Sequence, residues 1–200
     1  LVNTIIVASG NPDKAKEIKE IFGKRGFRIK TLQDFDNVPD VIEDGNTLYD
    51  NALKKARRIF ETLGTPVLAD DTGLEVDYLG GAPGIYSARY AGENATYEDN
   101  VNKLLRELNE AEESQRSARF RTVAVYYDGE QDVSAEGSIE GTITTEPRGD
   151  SGFGYDPVFE ALETKQTFGE MNENAKNAIS HRGRALQNLY LELQQLNILP

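Results

Sequence analysis

Two adjacent carboxylates, Asp70 and Asp71, follow the apolar run at 67–69 and precede Thr72-Gly73. A buried strand that ends in paired acids places fixed negative charge at a sheet edge, where oxygen ligands can hold a hard cation such as Mg2+. That arrangement suits phosphate chemistry, because a bound cation neutralises phosphate oxygens and lowers the pKa of a bound water. Of two neighbouring carboxylates near a cation, both can stay ionised, one as ligand and the other as proton acceptor. The residues alone do not rank Asp71 above Asp70. Asp-Asp-Thr-Gly is also good turn chemistry, since aspartates bond nearby backbone N–H groups, so the rest of the chain must weigh on the choice.

A second stretch points to an anion. TIIVA at 4–8 is a short β-branched run with the pattern of a buried strand, and SGNPDK follows it. Asn11 suits an N-cap, Pro12 the first helical turn, and Ala15, Ile18, Ile21 and Phe22 one apolar face, with Gly23 and Gly26 ending the helix. A helix N-terminus offers backbone N–H groups without helical partners, and its dipole favours negative charge. Lys14 in that first turn opposes the dipole, which is easier to explain if it faces an anion.

The positioning elements continue along the chain. A strand is expected at 27–32, then an acidic loop at 33–45 carrying Glu43 and Asp44. A helix is expected from Thr47 to Leu63, with Leu48, Ala52, Ala56, Ile59 and Leu63 on one face and Gly64 closing it. Lys54, Lys55, Arg57 and Arg58 read as its solvated side, from which one can still point into a cleft. Gly80 to Gly84 reads as a Gly-rich loop before a short helical segment through Tyr86 and Tyr90. Thr96 to Asp99 forms a capping box before a helix of about 12 residues. The polar run 109–117 reads as a surface loop, and two strands flank Asp128-Gly129, a hairpin signal with one solvent-facing side.

GDSGFGYDPVF at 149–159 combines three glycines, three aromatics and Asp-Pro, which suits a loop letting backbone and rings approach a flat ligand. The plainer alternative is a turn between strands with buried aromatics. Residues 172–179 read as a polar stretch before a helix capped by Ser180, with Leu186, Leu189, Leu193 and Leu196 apolar. His181 and Arg182 fall in its first turn, where the dipole disfavours cations; such local inconsistency marks functional sites.

Two hundred residues with 38% apolar and 28% charged side chains describe an ordered globular chain. A formal charge of −12 argues against a nucleic-acid polymer or an anionic membrane as main partner, without excluding a small anionic ligand. There are no cysteines, so thiolate chemistry is absent. LVNTIIVASG at the start lacks a basic n-region, so no signal peptide is expected, and no apolar run approaches the roughly 18 residues of a membrane span. A cytoplasmic location is expected. The order of elements suggests an α/β fold with a long mixed sheet and two lobes.

SGNPDK, ADDTGLEVDYLGGAPGIYSARYAG, GFGYDP and AISHRG, in this order, resemble the inosine triphosphate pyrophosphatase family over nearly the whole chain. The resemblance implies a single domain over 1–200: an elongated α/β structure whose long mixed sheet is flanked by helices, with an active-site cleft between two lobes. It implies a Mg2+-dependent homodimer that converts ITP, dITP or XTP into the monophosphate and pyrophosphate. Carried over by position, Ser9, Gly10, Asn11 and Lys14 hold the phosphates, with Thr72 at a position where many members have Ser. Asp71 takes the place of metal ligand and base with Asp70 beside it, Glu43 assists the metal, and Lys55 faces the phosphates. Phe153, Gly154, Tyr155, Asp156, Lys176, His181 and Arg182 build the base pocket.

Inosine and xanthosine present an acceptor O6 where adenosine presents an amino donor, so donors from Arg182, His181 or Lys176 would select against adenine. Two other readings compete: a nucleotide pyrophosphatase of the septum-formation inhibitor type, and a nucleotide-binding sensor without turnover. The SHR and GFGYD segments argue against the first, and the set Asp70, Asp71, Lys14 and Lys55 against the second.

Overall fold

The computed structural model describes residues 4–199. Leu1, Val2 and Asn3 of the opening run, and Pro200, lie outside the described residues. The strands are β1 (Thr4–Val7), β2 (Arg28–Thr31), β3 (Val67–Val76), β4 (Pro83–Gly84), β5 (Ser117–Tyr127), β6 (Asp132–Ile143), β7 (Phe159–Ala161) and β8 (Gln166–Thr167). The helices are α1 (Pro12–Gly23), α2 (Leu48–Leu63), α3 (Tyr97–Glu107), α4 (Glu173–Ile179) and α5 (His181–Gln195). Hydrogen bonding orders the sheet β2-β1-β3-β5-β6-β7-β8, with β4 on β3. β1 pairs in parallel with β2 and β3, whereas β4 on β3, and β7 on both β6 and β8, are antiparallel. The expected long mixed sheet is present.

The chain divides into two units. The first comprises residues 4–71, 122–137 and 181–199. Its core sets Ala15, Ile18 and Phe22 of α1 and Ala185, Leu186, Leu189 and Leu193 of α5 against Ile5, Val7, Leu68, Ala124 and Tyr126 of the strands. Ile18 and Phe22 are fully buried, each stabilising the fold by about 1.5–3 kcal/mol. Asn11 caps α1 as expected, its side chain accepting from the Asp13 and Lys14 amides at 2.9 and 3.3 Å. Thr47 caps α2, and Gly64 ends it in the left-handed conformation.

The second unit, residues 72–121 and 138–180, gathers Leu74, Val76, Leu104, Ile139, Phe159 and Phe168 into its own core. Thr96 and Asp99 form the expected capping box of α3.

Four expectations are corrected. The acids at 70 and 71 do not end a strand, and no turn follows: β3 runs on to Val76 because β4 pairs with it at Leu74 and Glu75. Arg116, in the presumed surface loop, is buried and donates to the carbonyls of Ile143, Leu108 and Thr144 at 2.7–2.8 Å. The polar stretch before α5 is itself helix α4, which Asn172 caps through the Ala175 amide at 2.9 Å. Leu196 lies past the end of α5 and is 54% exposed, so the apolar stripe stops at Leu193.

Gly73 is where β3 and β4 approach most closely. A Cβ there would lie 2.8 Å from the Gly84 carbonyl oxygen, which is backbone and cannot step aside. Gly73→Ala is expected to lose about 1–3 kcal/mol, the usual range for overpacking. A thermal melt unchanged within 1 °C of the parent, to be read at roughly 2–4 °C per kcal/mol, would sink that expectation.

Candidate active site

The residues singled out by sequence fall into two groups, one in each unit. In the first unit β3 presents Asp70 and Asp71 on opposite faces, because successive side chains alternate across a strand. Asp70 points with Leu68 toward α1 and α5. Its Oδ2 accepts from Arg182 Nε at 3.1 Å and lies 3.8 Å from Lys14 Nζ. Arg182 also donates to Glu17 of α1, so a buried guanidinium links three elements. Asp71 points with Val67 and Ala69 toward α2, where Asn51 Nδ2 donates to its Oδ2 at 3.0 Å.

Their electrostatics diverge accordingly. Burial pushes the Asp70 carboxyl up, but Lys14, Arg182 and Lys55 together outweigh it and hold the group far below the usual carboxylate range. Burial also dominates at Asp71, with the Glu43 charge adding to it. Lys55, Lys14 and the Asn51 hydrogen bond oppose this only in part, so its pKa is raised.

The remaining members of the group belong to the same unit. Lys55 is buried, and its Nζ is 3.2 Å from Glu43 Oε1. Its neighbours Lys54, Arg57 and Arg58 have side chains roughly half exposed, as expected. Between β1 and α1, Ser9 Oγ meets the Asn11 amide at 3.3 Å. Gly10 has open space where a Cβ would stand, so the first turn of α1 is approachable there. The cap engages the Asp13 and Lys14 amides and Ser9 Oγ engages that of Asn11, which leaves the Lys14 ammonium as the charged donor of the turn. His181, at the start of α5, is buried, and its carbonyl oxygen would lie 2.2 Å from a Cβ on Gly137.

In the second unit, Asp156 organises the 152–156 loop. Its Oδ2 accepts from the Phe153 amide at 2.8 Å and pairs with Lys176 Nζ at 2.7 Å. Gly152, at φ +75°, has room only for hydrogen, since a Cβ would meet that same oxygen at 2.1 Å. Lys176 is buried, with Nζ 4.5 Å from the centre of the Phe153 ring, a cation–π contact. The Tyr97 ring lies 5.9 Å from that of Phe153. Gly154 takes φ +62°. Tyr155 is buried and donates to the Ser87 carbonyl at 2.8 Å, so its ring is core rather than platform. Thr72 stands half-buried in β3.

A model of the Ham1 family matches residues 5–191. The chain belongs to this family. It is 47% identical to the dITP/XTP pyrophosphatase of Bacillus licheniformis, over 96% of this chain and 98% of the relative. The dITP/XTP pyrophosphatase of Vibrio cholerae is 44% identical over 96% of each chain. A HAM1 protein from Coxiella burnetii superposes with a TM-score of 0.86 at 39% identity, covering 98% of this chain and all of that one. The Staphylococcus aureus Ham1 protein gives 0.84 at 36% identity, covering 96% and 98%. The resemblance drawn from the four sequence motifs is borne out.

Sequence reasoning missed three residues that the fold of this Ham1 chain places in these groups: Asn51, Glu17 and Tyr97. Asn51 carried a readable signal. With Leu48, Lys55 and Ile59 it makes an i, i+3, i+7, i+11 stripe, so two polar residues lie on the buried face of α2. Glu17 and Tyr97 show no such pattern.

Proposed function

We propose that this chain is a nucleoside triphosphate pyrophosphatase that hydrolyses ITP, dITP and XTP to the monophosphate and pyrophosphate, cleansing the nucleotide pool. The family and the names of its relatives support that activity. For the site, the carrying observation is Asp71, a buried carboxylate of raised pKa beside Glu43, Lys55 and Asn51, with an accessible helix N-terminus in the same unit.

Asp71 is the proton acceptor for the attacking water. A raised pKa brings it closer to the range in which a base is both ionised and proton-accepting near neutrality. Asp70, locked by Arg182 and Lys14, is too weak a base for that task and instead fixes the two cations. Lys14 and Lys55 counter phosphate charge, with Ser9, Gly10, Asn11 and Thr72 as further substrate contacts.

The carboxylates present fit Mg2+. Among the described residues no cluster of three or more His, Cys, Asp or Glu is available for a metal. Asp71 and Glu43, whose charge acts on Asp71, would offer two, and Mg2+ is usually held by one or two carboxylates completed by phosphate oxygens and water. When bound, Mg2+ would neutralise phosphate oxygens and acidify a water.

Phe153 stacks on the purine, with Gly154, Tyr155 and Asp156 shaping its loop. Lys176, His181 and Arg182 supply donors for O6, a bond that selects against adenine by about 10^4 where the partner group would otherwise stay buried and unpaired. Arg182 has a second task, holding Asp70 ionised. The reading places a homodimer in the cytoplasm, with the nucleotide pool. No helix among the described residues is long and apolar enough to cross a membrane.

Pyrophosphate release measured across ITP, XTP, dITP, GTP and ATP, with and without Mg2+, tests the reading. ITP, XTP and dITP are expected to turn over far faster than ATP and GTP, and only with the metal. Equal rates on all five, or orthophosphate as first product, would overturn it.

A further inference from the structure

We propose that Asn51 is a positioning residue that straps the Glu43–Gly45 segment to Asp71, so that base and loop carboxylate are held in one arrangement. This rests on the assignment of Asp71 above. Asn51 is fully buried on α2. Its Nδ2 donates to Asp71 Oδ2 at 3.0 Å, and its Oδ1 accepts the Gly45 amide at 2.8 Å. A carboxylate can only accept and a backbone N–H only donate, so the two neighbours fix which way the amide faces.

Two further observations make the strap specific. A Cβ on Gly45 would lie 2.7 Å from Asp50 Cβ and 2.8 Å from Asn51 Oδ1, so only glycine lets the segment come this close to α2. One turn further along α2, Lys55 reaches Glu43. The segment, which has no regular secondary structure at 38–45, is thus gripped twice by side chains four residues apart on one helix face. Helix packing alone would be served better by an apolar residue among Leu48, Ala52 and Ile59, because a buried amide stabilises only when both its ends are bonded.

The bond also sets what Asp71 can do. With Oδ2 accepting from Asn51, the carboxylate is fixed about its own plane, and Oδ1 is oriented toward whatever it serves. Misplacing a reacting group by about 1 Å costs on the order of a hundredfold in rate, which is the scale expected when the strap is cut.

The test combines turnover with amide exchange in metal-free, substrate-free protein. Asn51→Ala is expected to lower kcat on ITP by about ten- to a hundredfold with KM within about twofold, and to speed exchange of the Gly45 amide at least about tenfold. Asn51→Asp keeps an acceptor for Gly45 but not a donor for Asp71, so kcat is expected to fall while Gly45 stays protected. Should that variant not fold, Gly45→Ala cuts the strap from the other side and is expected to lower kcat likewise. A kcat within about twofold of the parent in Asn51→Ala, or unchanged Gly45 exchange, overturns the proposal. Asp71→Asn runs alongside: if it retains parental turnover, the reading of Asp71 has failed. If it is inactive while Asn51→Ala is not, only the strap has failed.

Discussion

Asp71→Asn is expected to turn over ITP at least about a hundredfold more slowly than the parent, the scale of a lost general base, while melting at a higher temperature in metal-free buffer near neutrality. The two effects have one cause. Burial raises the Asp71 pKa, so the ionised carboxylate is held against its preference. A carboxyl whose folded pKa lies above its unfolded value of about 3.9 contributes stability that is fully present below that pH and lost as pH rises through the folded value. The asparagine keeps an oxygen for Asn51 and carries no charge, so it escapes that loss. The melting curves should therefore coincide in acid and separate as pH rises, with the variant higher. A variant that keeps near-parental turnover would rule out Asp71 as base, and one that melts lower at neutral pH would contradict the electrostatic account.

Arg182→Met should have the largest effect on stability, a loss of about 3–5 kcal/mol at pH 7, because it leaves two buried carboxylates, Asp70 and Glu17, without their cation. The sign with pH is opposite to that at Asp71. Lys14 and Arg182 hold Asp70 below its ordinary range against burial. The stability this lends the parent is present above about pH 3.9 and lost as pH falls through the lowered folded value. The gap between parent and variant should therefore be full near neutrality and narrow in acid. Urea unfolding at pH 7 and pH 3 measures both; a loss below about 1 kcal/mol, equal at the two pH values, would mean that the ion pairs are replaceable by packing.

Both predictions depend on a distinction that the dipeptide Asp70-Asp71 does not carry by itself. Side-chain alternation along a strand was readable once Val67–Ala69 was taken as buried, and it already requires that neighbours face apart. Which helix covers which face was not readable, because pairing between elements distant in sequence is fixed by packing. Hence Asp70 meets Arg182 from α5, which also holds Glu17 of α1, and Asp71 meets Asn51 from α2. Reading Thr72-Gly73 as a turn failed for the same reason: the local chemistry permits one, but β4 supplies partners that extend β3. Arg116 was misplaced because three carbonyls that become neighbours only on folding compensate its burial.

By itself the sequence determined the local devices: the Asn11 and Thr96 caps, the closing Gly64, the strand and helix periods, and four motifs whose order carries the family. These depend on residues within a few positions of one another, so the chain encodes them directly. Only the tertiary structure decided that one of two identical neighbouring acids is locked in ion pairs while the other keeps a raised pKa. A carboxylate's charge state is set by burial and by the cations around it, and here those cations come from residues more than a hundred positions away as well as from near ones.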